Sequence, residues 1–108
     1  MLAFSNSSAI YLSIRPVDFR KQFDGLCGEV QDFLGKDPQD GNLFVFYNKR
    51  RDRLKMLWWQ PDGFWLFYKR LEAGTFQVPH VRPEDKSCLL APEHLQLILS
   101  GIDNPPHF

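Results

Sequence analysis

The sequence predicts an α+β fold: a three-stranded antiparallel meander plus an N-terminal strand, packed on one long amphipathic helix, with a short C-terminal helix. Three observations predict it. Apolar residues recur at helical period between Phe19 and Leu34. Three ring-rich segments then follow, separated by turn residues. Finally, 108 residues with 44% hydrophobic and 24% charged side chains suit one globular core.

Each element has a local cause. Residues 10–14 mix β-branched and aromatic side chains and read as a strand, which Arg15-Pro16 ends. Phe19, Phe23, Leu26, Cys27, Val30, Phe33 and Leu34 form one stripe on a helix spanning about 17–34. Asp18 is expected in its first turn, where a carboxylate meets free N–H groups, and Gly35 stops it. Residues 43–48, 53–59 and 64–70 are the meander strands, the last two joined through Pro61-Asp62-Gly63. Residues 77–86, with Pro79 and Pro83, read as a loop, and 87–90 as a possible edge strand. Pro92 suits the start of a helix that Gly101 ends. The expected organisation is a flexible N-terminus over 1–9, a single domain over 10–103 and a flexible C-terminus over 104–108.

Thirteen cations balance thirteen acids, yet the charge is unevenly placed. Lys49, Arg50, Arg51, Arg53, Lys55, Lys69 and Arg70 share a short stretch with only Asp52 and Asp62, and all three tryptophans lie there too. Cations for phosphate and rings for bases are the composition that binds nucleic acid. A charged hairpin edge that discourages sheet-to-sheet pairing gives the same composition.

Pairing parity distributes these side chains. With four residues in each turn, Asn48 faces Arg53 and Trp59 faces Phe64. One face then holds Leu43, Val45, Tyr47, Leu54, Met56, Trp58, Trp65 and Phe67, with Lys69 at its end, and is expected to pack on the helix. The other holds Phe44, Phe46, Asn48, Arg53, Lys55, Leu57, Trp59, Phe64, Leu66, Tyr68 and Arg70. That mixed face is either a binding platform or a second core layer covered by the C-terminal segment.

No catalytic, metal or cofactor constellation is legible. His80, His94 and His107 lack ligand spacing, Cys27 and Cys88 have no C-x-x-C partner, and the aspartates are scattered through turns. No Walker, Rossmann or G-x-S-x-G pattern occurs. The expectation is a protein that is not an enzyme and uses no cofactor. The longest apolar runs are five residues, and residues 1–14 carry no Lys or Arg, so neither a membrane span nor a signal peptide is expected. The expected location is the cytoplasm.

Several stretches together resemble a known family. Asp18-Phe19-Arg20-Lys21, Asp24-Gly25-Leu26, the run from Gly41 to Phe46, and the run from Lys49 to Lys55 resemble the accessory protein of IS-66-class bacterial insertion sequences. So do Leu57-Trp58-Trp59, the stretch from Asp62 to Leu66, Tyr68 to Glu72, Gly74-Thr75-Phe76 and Leu97 to Asp103. The resemblance covers about residues 10–103. The chain departs from the pattern at Gln22, Gln60, Ala73 and Thr75. The last two replace arginines, which lowers the basic character beyond the third strand. The resemblance implies a small protein that assists transposition beside a separate transposase, and implies no catalytic residues.

The functional expectation is therefore a non-catalytic accessory protein that binds DNA, together with the transposase. Lys49, Arg50, Arg51, Arg53, Lys55, Lys69 and Arg70 are the expected backbone contacts, with Trp59 and Tyr68 as stacking or partner surfaces. The alternative is an adaptor that docks on the transposase through its aromatic sheet face. A homo-oligomer formed through that face is a third arrangement.

Overall fold

The computed structural model describes residues 8–82 and 84–100. In chain order the elements are β1 (Ile10–Ser13), α1 (Phe23–Asp32), β2 (Leu43–Tyr47), β3 (Arg53–Gln60), β4 (Gly63–Arg70), β5 (Ser87–Leu90) and α2 (Pro92–Leu99). The expected loose ends lie outside the described residues, except Ser8 and Ala9. Ala9 is tied to the sheet: its N–H donates to Asn42 Oδ1 and its carbonyl accepts from Leu43 N–H.

The strands form one mixed sheet in the order β4-β3-β2-β1-β5. β3 runs antiparallel to its neighbours β2 and β4, whereas β1 lies parallel to β2 and antiparallel to β5. Trp59 pairs with Phe64, and Asn48 N–H reaches Arg53 O. The sheet is thus larger than a meander with one added strand. β2 is buried along its whole length, because both of its faces are covered.

Two cores result. Leu43, Val45, Tyr47, Leu54 and Trp58 pack with Phe76, Val78, Leu95 and Ile98. Phe44, Phe46 and Leu57 pack with Val17, Leu26, Val30 and Leu34. The membership of each face follows the expected parity, but the covering elements are exchanged. Helix α1 covers the face with the cations, and the C-terminal segment covers the apolar one. Parity settles which side chains share a face and is silent on what covers it. The parallel β1–α1–β2 connection is what commits α1 to one side, since such crossovers have a strongly preferred hand.

Helix α1 is also shorter than the stripe suggests. Residues 17–22 form a turn in which Asp18 Oδ1 accepts the Arg20 N–H at 2.9 Å and Asp18 O accepts the Lys21 N–H at 3.1 Å. A local Asp-to-backbone bond of this kind competes with the helix for its own N–H groups. The first helical bond is Leu26 N–H to Gln22 O. Gly35, at φ 67°, ends the segment in the left-handed region that glycine tolerates.

Candidate nucleic-acid interface

The β2–β3 turn is organised by Asn48. Its Oδ1 accepts the N–H groups of Asp52 and Arg53 at 3.1 and 2.9 Å, and its Nδ2 donates to Asp52 Oδ1 at 2.6 Å. That side-chain bond, helped by the charges of Arg50 and Arg53, holds the Asp52 carboxyl below its usual range. The turn is also anchored from outside: Leu71 N–H donates to Asp52 O and Phe76 N–H to Arg51 O. Lys49, Arg50 and Arg51 project from this braced turn as exposed side chains. None of the three forms an ion pair among the described residues. The Arg51 guanidinium lies 5.8 Å from the Tyr47 ring centroid.

Beside the turn, Arg53 Nη1 donates to Tyr68 Oη at 2.9 Å. Arg53 faces Arg70 across the ladder, and Arg70 is held by Glu72 at 2.9 Å. That pairing raises the Arg70 pKa further. Arg20 lies across an open cleft of about 490 Å³ whose lining includes Phe19, Lys49, Arg50, Asp52 and Arg53. It is bound to Asp18 at 2.6 Å while remaining 92% exposed. The same bond, chiefly from the Arg20 side chain and then its backbone N–H, pulls the Asp18 pKa down to about 2.

The expected contact residues are therefore only partly brought together. Lys49, Arg50, Arg51, Arg53, Tyr68 and Arg70 gather at one end of the sheet. Lys55 does not join them, which corrects the expectation. It is fully buried, and its ammonium donates to Phe19 O at 3.0 Å and Lys21 O at 2.7 Å. The Phe19 and Tyr68 ring centroids lie 4.9 and 5.0 Å from Nζ. Burial pushes its pKa down. A charge strapped to backbone carbonyls under two rings is a structural brace with no path to a phosphate.

Lys69 and Trp59 are displaced from the cluster as well. By strand alternation Lys69 lies on the opposite face from Arg53, and its Nζ donates to Leu99 O at 2.6 Å, at the carbonyl end of α2. Trp59 is near the far end of β3, six residues from Arg53 or roughly 20 Å along the strand. It packs edge-on against Phe64 with centroids 4.8 Å apart. Arg20 was hidden from sequence reasoning because the helical stripe absorbed its neighbourhood. The only signal was the Asp18-x-Arg20 spacing, which suits an Asp-anchored turn.

Among the described residues, no three His, Cys, Asp or Glu side chains converge as metal ligands, and no helix is long and apolar enough to cross a membrane. The fold and this cluster define a small α+β protein with a rigid basic turn. Residues 8–106 match the family model described as "IS66 Orf2 like protein". The chain belongs to this family, whose description is that of a second-reading-frame product of an insertion sequence. It is similar to the uncharacterized protein y4jC of Sinorhizobium fredii, 38% identical over 103 residues, covering 95% of this chain and 86% of that one. It is also similar to the uncharacterized protein y4hO of the same organism, 36% identical over 103 residues, covering 95% of this chain and 88% of that one. No solved structure matches.

Proposed function

We propose that the chain is a non-catalytic accessory protein of DNA transposition that meets the DNA backbone with its β2–β3 turn and works beside the element's transposase. One observation carries the reading: Lys49, Arg50 and Arg51 project from a turn braced by Asn48, without a carboxylate partner among the described residues. Exposed cations gain by releasing counterions from DNA, and the backbone of the braced turn that carries them has little ordering entropy left to lose. Arg53, Arg20 and Tyr68 flank the turn and extend the same surface. The adaptor alternative relies on the same sheet face, where Phe44 and Phe46 lie under α1 and Tyr68 stays exposed.

A salt series of DNA binding tests the proposal. The log of the affinity is expected to fall linearly with log salt, by about 0.9 for each phosphate neutralised on duplex DNA. The triple substitution Lys49→Ala, Arg50→Ala, Arg53→Ala is expected to reduce that slope by about 2–3 while the fold persists. Unchanged affinity and slope would overturn the reading.

A further inference from the structure

Strand β4 is an edge of the sheet, eight residues long, whereas the opposite edge, β5, has four. Every residue of β4 retains some exposure, with Trp65 at 46% and Tyr68 at 49%. The Leu71 N–H reaches inward to Asp52 O. By the alternation of an antiparallel ladder, the N–H and C=O groups of Phe64, Leu66, Tyr68 and Arg70 therefore point away from β3. Natural edges of this length are blunted by proline, a bulge, a mid-strand charge or a covering segment. β4 contains no proline, its charges occupy only its last two positions, and no described strand pairs with its outer side.

We propose that this edge pairs with β4 of a second copy of the chain, antiparallel about a two-fold axis at Leu66. Odd and even residues of β4 lie on opposite faces, so paired residue numbers must sum to an even value. In the register centred on Leu66, Trp65 lies across from Phe67, Phe64 from Tyr68, and Arg70 from Asp62. Rings meet rings on both faces, the pairs that stabilise antiparallel strands, and at each end Arg70, held by its own Glu72, comes across from Asp62 in the turn before the partner strand. This self-complementarity is what selects a second copy over a foreign strand. The contact is isologous, so it closes at a dimer.

Sedimentation of the full-length chain across the micromolar range tests the proposal, with a dimer as the expected species. Leu66→Pro removes an outward N–H while sparing the β3 ladder, and is expected to give a folded monomer. Trp65→Lys alters an exposed side chain, leaves the backbone intact and is expected to do the same, which guards against misfolding of the proline variant. A wild-type monomer overturns the proposal and leaves the edge to a strand from another protein. A dimer that survives both substitutions with native circular dichroism also overturns it, because it must form elsewhere. Neither result bears on DNA binding by the basic turn.

Discussion

The ammonium of Lys55, on the central part of β3, lies 2.7 Å from the carbonyl oxygen of Lys21. That bond joins the sheet to the turn preceding α1, and a second bond to Phe19 O completes the brace. In a continued helix both carbonyls would have accepted from N–H groups four residues on. Lys55 thus occupies the place of two helical hydrogen bonds.

Replacing Lys55 by Met tests this account. The substitution removes a buried charge but leaves the two carbonyls without their donor, and the second effect should prevail. Stability is expected to fall by about 1–3 kcal/mol in urea unfolding. The salt slope of DNA binding should stay unchanged under folding conditions, because the lysine does not reach the surface. A reduced slope would place Lys55 among the phosphate contacts after all.

Gly25 supports the same turn. A methyl group at its Cα would approach Cβ and Cγ of Lys21 to 2.9 Å, closer than real contacts allow. Gly25→Ala therefore opposes its gain in helix propensity with a clash that shifts Lys21 and its carbonyl. A net loss of about 1–3 kcal/mol is expected. The double variant Gly25→Ala, Lys55→Met should lose less than the sum of the single losses, since both act on one brace.

Much of the sheet was legible in the sequence. With four residues in each turn, 49–52 and 60–63, parity alone sorted Leu43, Val45 and Trp58 from Phe44, Phe46 and Leu57. The covering elements were not legible, because nothing local in residues 10–14 reveals that β1 inserts parallel to β2. The stripe from Phe19 to Leu34 overstated α1 for a related reason. Periodicity records the apolar positions, but Asp18 and Lys55 decide which N–H and C=O groups remain available to the helix. In the candidate site, the cations of the turn were visible as composition. The burial of Lys55 was not, since it depends on a turn 34 residues away in sequence.

Arg51 adopts φ 59°, a left-handed conformation in which a side chain costs roughly 1–2 kcal/mol. Arg51→Gly should therefore be neutral or stabilising by up to about 1 kcal/mol while removing one exposed cation. Thermal unfolding and a salt series on the same sample separate the effects. The expected pair of results is a melting temperature that does not fall and a binding slope reduced by about 0.9.

The Asp18–Arg20 pair predicts an acid-side signature. The carboxyl pKa of about 2 in the folded chain lies below its ordinary value of 3.8. The pair's contribution is therefore fully present well above the ordinary value of 3.8 and is lost as pH falls from there through about 2. Because both groups are exposed, the effect on global stability should be small. Its direct readout is the Asp18 carboxyl titration by NMR. Arg20→Ala should return the midpoint toward 3.8, since the Arg20 side chain is the main cause of the shift. A midpoint still near 2 in that variant would assign the shift to the backbone N–H of residue 20.

Two adjacent residues of α2 test which element covers the apolar face. Ile98 is fully buried against the sheet, in the cluster containing Leu54 and Phe76, whereas Leu97 is 43% exposed. Truncating a buried isoleucine removes its transfer free energy and leaves a cavity, so Ile98→Ala should cost about 2–5 kcal/mol. Leu97→Ala changes helix propensity little and removes a side chain already half in water, so its cost should stay below about 1 kcal/mol. Denaturant unfolding of the two variants measures the contrast directly. Equal costs, or a larger cost at Leu97, would mean that α2 is rotated on the sheet or does not cover this face.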